Sequence, residues 1–542
     1  MSVDLEMSGR GGRQLPDAAE GVGPDPASVS SLRVPSLPDP LRRVWHLGVA
    51  VFGLQLAGLI VWSWYLWSHF DLTNDMATFG QAFSQIGSGH LNPYETNFVY
   101  NYPHWGYPFY QSAFELLMWP LALLYTATRS LFTLLVVQDL ALVGAGLASL
   151  RWGLEYLAGR WPAHRRGAAV VGSGLVVLLL VNPWTYWSAS YDFHFETIAA
   201  LFAILAARDG WQGRRRAWLW LVLLLACGDV AATYGIAVGA ILVFTGKRTR
   251  RVGIGFVAVS LVWLVLVGVV HGARGSGVQA YGYLAGHPVP DGLSGMVAIV
   301  QGLAAHPQRG LSMLDGRWHA LYQYLAGAGL VGVASVIGFV PAAVVLGTNG
   351  LNSGPIWVGH IAAFQYLVIV FFMGVGAVAV VTWLVRRTGR VAPVVACLLG
   401  VAGLAQAIVV SGQITPQARA WFATVGGPTA IELTRVEQMV PSSAEAVVSI
   451  GVIGRFAARS ELYPYGIPFP GGQIIPVGGR PVYFVFVDGP GTLSGTAKAT
   501  DAAIHQLQSM GARVIARADQ VVALVWTPPP GVTRLRLVDY VR

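Results

Sequence analysis

The chain has 542 residues, 54% of them hydrophobic and only 11% charged, with a mean hydropathy of +0.55. A soluble globular chain carries about 25% charged residues, so a wholly water-soluble enzyme is excluded. The formal charge of +9 sits in short arginine clusters between apolar runs. That is the positive-inside pattern of a polytopic membrane protein, not the footprint of a nucleic-acid partner.

Residues 1–43 are rich in Gly, Pro, Ser and Asp without hydrophobic periodicity and are predicted to be a disordered cytoplasmic tail. Val44 to Trp67 is too long for a signal-peptide core and reads as a first span. The basic clusters then act as counting constraints. They are Arg42–Arg43, Arg151 to Arg166, Arg208 to Arg216, Lys247 to Arg251 and Arg386 to Arg390. If all face the cytoplasm, an even number of spans separates each neighbouring pair.

Between Arg43 and Arg151 one of three apolar stretches therefore cannot cross. The weakest is 109–127, which contains Glu115 and Pro120 and follows Pro108. It is predicted to lie on the outer surface within a long external loop, 68–129. Tyr94, Tyr100, Tyr102, Trp105, Tyr107 and Trp119 suit that interfacial depth.

Further spans are predicted at 130–150, 168–183, 195–208, 217–228, 230–245, 252–270, 363–385 and 392–411. The run 320–349 is divided into two short spans near Pro341, and 271–319 is an external loop. These make about eleven crossings, with the transmembrane part at 44–411. Cys227 and Cys397 both lie inside apolar runs, which leaves no disulfide framework for the external parts.

From residue 412 to 542 the composition changes. Ala446 to Ile450, Val482 to Asp488, Val514 to Ala518 and Val521 to Trp526 read as strands, and Thr500 to Met510 as a polar helix. This is expected to be a small external α/β domain.

Ionisable groups at membrane depth are costly, so their positions are informative. Asp71, Asp75, Glu95 and His104 fall in the first external loop; Asp192, His194 and Glu196 form D-F-H-F-E in the second; Asp229 falls in the third. All lie at the outer ends of spans and are expected to converge on a cavity opening outward. Arg274, Arg317, His319 and His360 would add positive charge to its rim, suited to a phosphate.

Asp75 fits a general base or a metal ligand, and Asn74 or Asp75 fits a helix N-cap equally well. The alternate acids of D-F-H-F-E suit a cation or a sugar hydroxyl, or else a solvated turn. If a divalent cation such as Mg or Mn is bound, Asp75, Asp192 and Glu196 are the candidate ligands. His104 suits a phosphate or a sugar, or else only an interfacial hydrogen bond, and Asp229 suits turn chemistry or a site role. Gln138 and Asp139, inside a predicted span, read as interhelical hydrogen-bonding glue. No Walker-A sequence, dinucleotide fingerprint or zinc spacing appears, so an ATP-driven pump is not expected.

Certain segments carry a resemblance. They are Asp75-Met-Ala-Thr-Phe79-Gly-Gln81-Ala82, Pro103-His104-Trp105 leading to Trp119-Pro120-Leu121, and Asn182-Pro183 followed by Asp192-Phe-His194-Phe-Glu196. Gly350-Leu351-Asn352-Ser353, Val440-Pro441 and Tyr483 to Asp488 extend it. In this order they resemble an uncharacterised bacterial polytopic membrane protein family, a domain of unknown function related to the GT-C glycosyltransferase superfamily. The resemblance spans roughly residues 45–530.

It implies a GT-C-like fold with a first external loop lying on the membrane. It also implies transfer of a sugar from a polyprenyl-phosphate-linked donor to a glycan or lipid acceptor, on the outer face of the cytoplasmic membrane. Asp75 would then be the base, and Asp192 or Glu196 the second acid. His104, His194, Asp229, Arg274, Arg317 and His360 would bind substrate. Relatives tend to carry Lys-Glu-Asp at the hairpin tip, where this chain has Cys227-Gly228-Asp229. A transporter or lipid flippase, or a non-catalytic relative of the same fold, are the alternative readings.

Overall fold

The computed structural model describes residues 37–96, 107–112, 114–161, 165–271, 277–290, 292–354, 363–388, 392–421, 425–466, 473–488 and 497–537. It is an α-helical polytopic membrane protein with a small C-terminal sheet domain.

The first long helix, α1 (Asp39–Ser68), is followed by α2 (Asn74–Gly87), a short antiparallel pair β1 (Tyr94–Glu95) and β2 (Tyr107–Pro108), and the helices α3 (Phe109–Ser112) and α4 (Met118–Thr128). Next come α5 (Phe132–Arg160), α6 (Arg165–Leu180), α7 (Pro183–Ser190), α8 (Phe195–Trp211), α9 (Ala217–Leu225), α10 (Val230–Thr245) and α11 (Arg250–His271). The segment expected as an external loop after α11 contains α12 (Gly282–Ala285), α13 (Leu293–Ala305) and α14 (Pro307–Gly316). The helical part ends with α15 (Trp318–Gly327), α16 (Val336–Leu351), α17 (Ala363–Thr388) and α18 (Ala392–Trp421).

Among the described residues, five segments are long and apolar enough to cross a membrane: Asp39–Ser68, Phe132–Arg160, Arg165–Ser190, Arg250–Val270 and Phe364–Arg387. In α17 78% of the apolar window is buried, against 28% in α1 and in α11. The first is a core helix, and the other two keep apolar faces outward as a lipid-facing helix does. The predicted spans in α8, α9, α10, α15 and α16 are shorter than the ~20 residues of a full crossing. α9, at nine residues, rises only about 14 Å.

One end of the bundle is basic. Glu155 of α5 accepts from Arg151 and from Arg208 of α8, and Asp209 pairs with Arg214 and Arg216. Arg386 of α17 donates to the Arg160 carbonyl at 2.6 Å. Three of the arginine clusters thus share one end, as the charge counting required.

Two boundaries differ from expectation. The run 320–349 does not break at Pro341, which lies within α16. It breaks between α15 and α16, where Gly329 has φ +89° and the Ser335 hydroxyl caps α16 through Gly338 N–H. Gly332 within the break lets α17 approach closely, since a Cβ there would stand 2.2 Å from the Met373 carbonyl oxygen. Further on, α18 continues to Trp421, past the expected end at 411.

Beyond it stand α19 (Gly427–Met439), β3 (Glu445–Ser449), a 3-10 segment Ile450–Ala457, β4 (Leu462–Tyr465), β5 (Gln473–Pro476) and β6 (Val482–Val487). The domain ends with α20 (Ala497–Ser509), β7 (Arg513–Ala518), β8 (Val521–Trp526) and β9 (Arg534–Leu537). The five-stranded sheet has the order β4-β3-β6-β8-β7, parallel at β4-β3-β6 and antiparallel beyond. Strands β5 and β9 form a separate antiparallel pair. Phe484, Phe486, Leu524 and Trp526 of the sheet pack with Ile504 and Leu507 of α20 in one core.

Candidate functional site

The turn from α7 to α8 carries the D-F-H-F-E residues, and the neighbouring helices fix it. Asn182 caps α7 through Trp184 N–H, and Pro183 opens that helix with a preset φ. Gln138 of α5 holds the far side: its carbonyl accepts His194 N–H at 2.9 Å. Nearby, Ser63 of α1 donates to Asp139 of α5 at 2.8 Å.

Asp192 is buried and bonded at every turn. It accepts Thr73 N–H at 2.8 and 3.1 Å, the Thr73 hydroxyl, and Met76 N–H at 3.0 Å. These groups lie at the start of α2, so Asp192 supplies the helix cap from across the fold. Burial and the nearby Asp75 raise its carboxyl to about 6, against the bonds from Thr73 and Met76. In this structure the Asp192 oxygens hold the start of α2.

The N-cap reading of Asp75 is overturned for the same reason. Thr73 occupies the cap position without a side-chain cap bond, and the cap is Asp192. The Asp75 carboxylate is left to face the turn. It accepts the Tyr191 hydroxyl at 3.0 Å, and His194 Nε2 stands 3.5 Å away. Its side chain keeps 24% exposure, more than His194 at 7% or Glu196 at 14%.

His194 is clamped between two carboxylates, with Glu196 3.7 Å from Nδ1. Its ring stacks on Phe364 of α17 at 3.5 Å between centroids and faces Tyr191 at 5.3 Å. Burial alone would lower the imidazole, but Asp75 and Glu196 together raise it to about 9. An imidazolium at this position faces a carboxylate on each side.

Glu115 was expected only to keep its segment out of the membrane. The structure places it in the site, against the hairpin tip: its Oε1 would lie 3.0 Å from a Cβ on Gly228. Its Oε2 is buried without a hydrogen-bond partner. Burial pushes its carboxyl well above the usual range, and Asp229 and Glu196 push it further. Its lone position in a turn gave no periodicity or motif to flag it. Asp71 likewise has a buried, unbonded Oδ2, and burial with Asp192 nearby raises its carboxyl to about 7. Asp229 caps α10 through Val230 N–H at 2.7 Å and stands within electrostatic range of Glu115.

The expected phosphate rim is not assembled by the described residues. Arg317 donates to the backbone carbonyls of Gly350, Asn352 and Ser353. That ties the α14–α15 junction to the end of α16. His319 is exposed, 3.4 Å from Gln323. His104, Arg274 and His360 lie outside the described residues.

Asp75, Asp192 and Glu196 do not form a metal set. Asp192 is saturated by α2, and His194 stands between the other two. Among the described residues, no three His, Cys, Asp or Glu side chains are placed to hold a metal ion.

The C-terminal domain closes the far side of α2. Gly454 N–H donates to the Leu72 carbonyl at 2.9 Å. Gln81 of α2 donates to the carbonyls of Arg459 and Ser460 at 3.0 and 2.8 Å. Thr96 exchanges hydrogen bonds with Leu462 of β4. Arg455 lies over Phe70 at 4.0 Å and pairs with Glu437. The helix that carries Asp75 is thus held by Asp192 at its start and by the sheet domain along its length.

No curated protein matches the chain. Two solved structures of ArnT from Cupriavidus metallidurans are similar to it. The one bound to undecaprenyl phosphate has 12% identity and a TM-score of 0.41, covering 87% of this chain and 97% of its own. The apo structure has 13% identity and a TM-score of 0.34, covering 88% and 97%. The model of a predicted membrane protein family, DUF2079, matches residues 66–465, and the chain belongs to that family.

Proposed function

We propose that this protein transfers a sugar from a polyprenyl-phosphate-linked donor to an acceptor hydroxyl at the outer face of the cytoplasmic membrane. In this reading the basic end of the bundle and the N-terminus face the cytoplasm, and the sheet domain is external. The sequence resemblance to the GT-C superfamily supplies the substrate class.

The observation that carries the reading is the state of Asp75. Its carboxylate is partly exposed at the start of α2, relieved of capping by Asp192 and faced by His194 Nε2 at 3.5 Å. A carboxylate so placed suits a general base. It would take the proton of the acceptor hydroxyl as the new bond to the anomeric carbon forms. The bond from that carbon to the lipid phosphate breaks, and the phosphate leaves with the electron pair. The donor's polyprenyl tail stays in the bilayer, which explains why the acid sits at the end of the spans rather than at their midpoint.

The test is mass spectrometry of membrane glycolipids and surface glycans from cells with the protein, without it, and with Asp75→Asn. The expected result is a sugar-sized mass lost in both defective strains while the lipid-linked donor accumulates. An unchanged glycan profile in all three strains overturns the reading. Dependence of a lipid or solute flux on the proton gradient, with no product of altered mass, would replace it with a transporter.

A further inference from the structure

The sheet domain holds a cavity of about 500 Å³ whose lining shares no residue with the site around Asp75. Phe486 and Ile504 contribute its apolar lining, and Asp488, Asp501, Asp519 and Arg517 its charged groups. Thr500 lines it too. That residue is only 3% exposed, and its hydroxyl has no hydrogen-bond partner.

The cavity lies on one particular edge of the sheet. Asp488 follows the carboxyl end of β6, and Asp488 N–H donates to the Gln520 carbonyl at 2.9 Å, which brings the β7–β8 turn beside it. Next along the sheet is β3, whose last residue, Ser449, accepts Val487 N–H at 3.0 Å. Ser449 leads directly into the 3-10 segment whose Gly454 packs on Leu72 and Met76, beside Asp75. The β7–β8 turn at this edge is also tied to α19, where Thr429 donates to Asp519. The cavity therefore opens at the edge of the sheet whose 3-10 segment meets the start of α2, as ligand crevices do at strand carboxyl ends.

Its chemistry selects among ligands. Three carboxylates against one guanidinium repel a lipid phosphate or any other anion. Carboxylates accept strong bonds from hydroxyl donors. An apolar floor beneath a few convergent polar groups suits the carbon face of a sugar ring.

We propose that this cavity binds an uncharged glycan and serves as the acceptor subsite, delivering a hydroxyl toward Asp75. Its role in the reaction rests on the transferase reading; the binding does not.

Binding can be read without a donor. The full-length protein in lipid nanodiscs would be examined by saturation-transfer difference NMR. The probes are methyl α-D-mannopyranoside, methyl β-D-galactopyranoside, methyl α-D-arabinofuranoside, methyl β-D-glucuronide and glucosamine, with calcium chloride in a separate titration. Saturation transfer to at least one uncharged glycoside is expected, with at least tenfold weaker binding in Asp501→Asn and unchanged binding in Asp75→Asn. Asp501 is exposed, so that substitution leaves the domain folded, and Asp488→Asn provides an independent check.

The proposal is overturned if no uncharged glycoside binds, if only the glucuronide, glucosamine or calcium binds, or if both Asn variants in the cavity bind as the wild type does. Binding that persists while Asp75→Asn leaves cellular glycans unchanged would sink the transferase reading and keep the glycan site.

Discussion

The carboxylate of Asp192 accepts the backbone N–H of Met76, the residue next to Asp75, at 3.0 Å. The two acids of the site thus have different tasks: one builds the first turn of α2, and the other is presented by it. Asp192→Ala leaves the Thr73 and Met76 donors buried without an acceptor, at a cost of about 2 kcal/mol. Thermal unfolding in detergent should move down by several degrees, and turnover should fall as Asp75 loses its setting. Asp75→Asn retains an oxygen to accept from Tyr191 and loses only the pairing with His194, so its unfolding temperature should fall less than that of Asp192→Ala. Its turnover should fall by about 100-fold or more, the usual worth of a general base. Equal destabilisation by the two variants would contradict the division of tasks.

His194 makes the site sensitive to alkali. Its folded-state value of about 9 lies above the ordinary 6.5. The ion pairs with Asp75 and Glu196 therefore contribute fully below about pH 6.5 and are lost as the pH rises through about 9. The activity profile should show an alkaline limb near pH 9, and His194→Gln should flatten it while lowering the plateau. Histidine-selective NMR of the labelled protein would report the titration directly. A His194 midpoint near 6.5 would remove the clamp.

The sheet domain should be needed for activity because it holds α2 in place. A Cβ at Gly454 would stand 2.6 Å from the Leu72 Cβ and 3.0 Å from the Leu72 carbonyl. Gly454→Val must therefore lift the domain from α2. We expect turnover to drop at least tenfold while the expression level and membrane insertion hold. Limited proteolysis should cut faster between α18 and α19. Full activity in Gly454→Val, or after removal of the domain, would make the domain a separate appendage.

Much of this layout was legible in the residues. The strands expected at 446–450, 482–488, 514–518 and 521–526 appear at Glu445–Ser449, Val482–Val487, Arg513–Ala518 and Val521–Trp526. Their apolar runs are long enough to show a period. The strands β4 and β5 escaped because each has four residues and carries a proline, Pro464 and Pro476. The charge clusters disclosed which ends of α5, α8 and α17 meet, since parity depends only on counting. By contrast, the capping of α2 by Asp192 joins residues more than a hundred positions apart, and no local pattern encodes it. The contacts of Arg317 were hidden for a similar reason: its carbonyl partners at 350–353 carry no charge to mark them.

Glu115 offers the sharpest test of the electrostatics around the hairpin tip. Its carboxyl is buried with one oxygen unbonded, and Asp229 and Glu196 add negative potential. The folded state therefore favours the neutral acid, whose stabilising contribution is present at low pH and lost as the pH rises through its raised value. Glu115→Gln has the same shape and no charge to lose. At neutral pH its unfolding temperature should equal or exceed that of the wild type, and the gap should widen as the pH increases. Glu115→Ala removes the packing against Gly228 and should destabilise by about 1–3 kcal/mol at every pH. If Glu115→Gln is instead the less stable protein at alkaline pH, the carboxylate is ionised and has a cationic partner there.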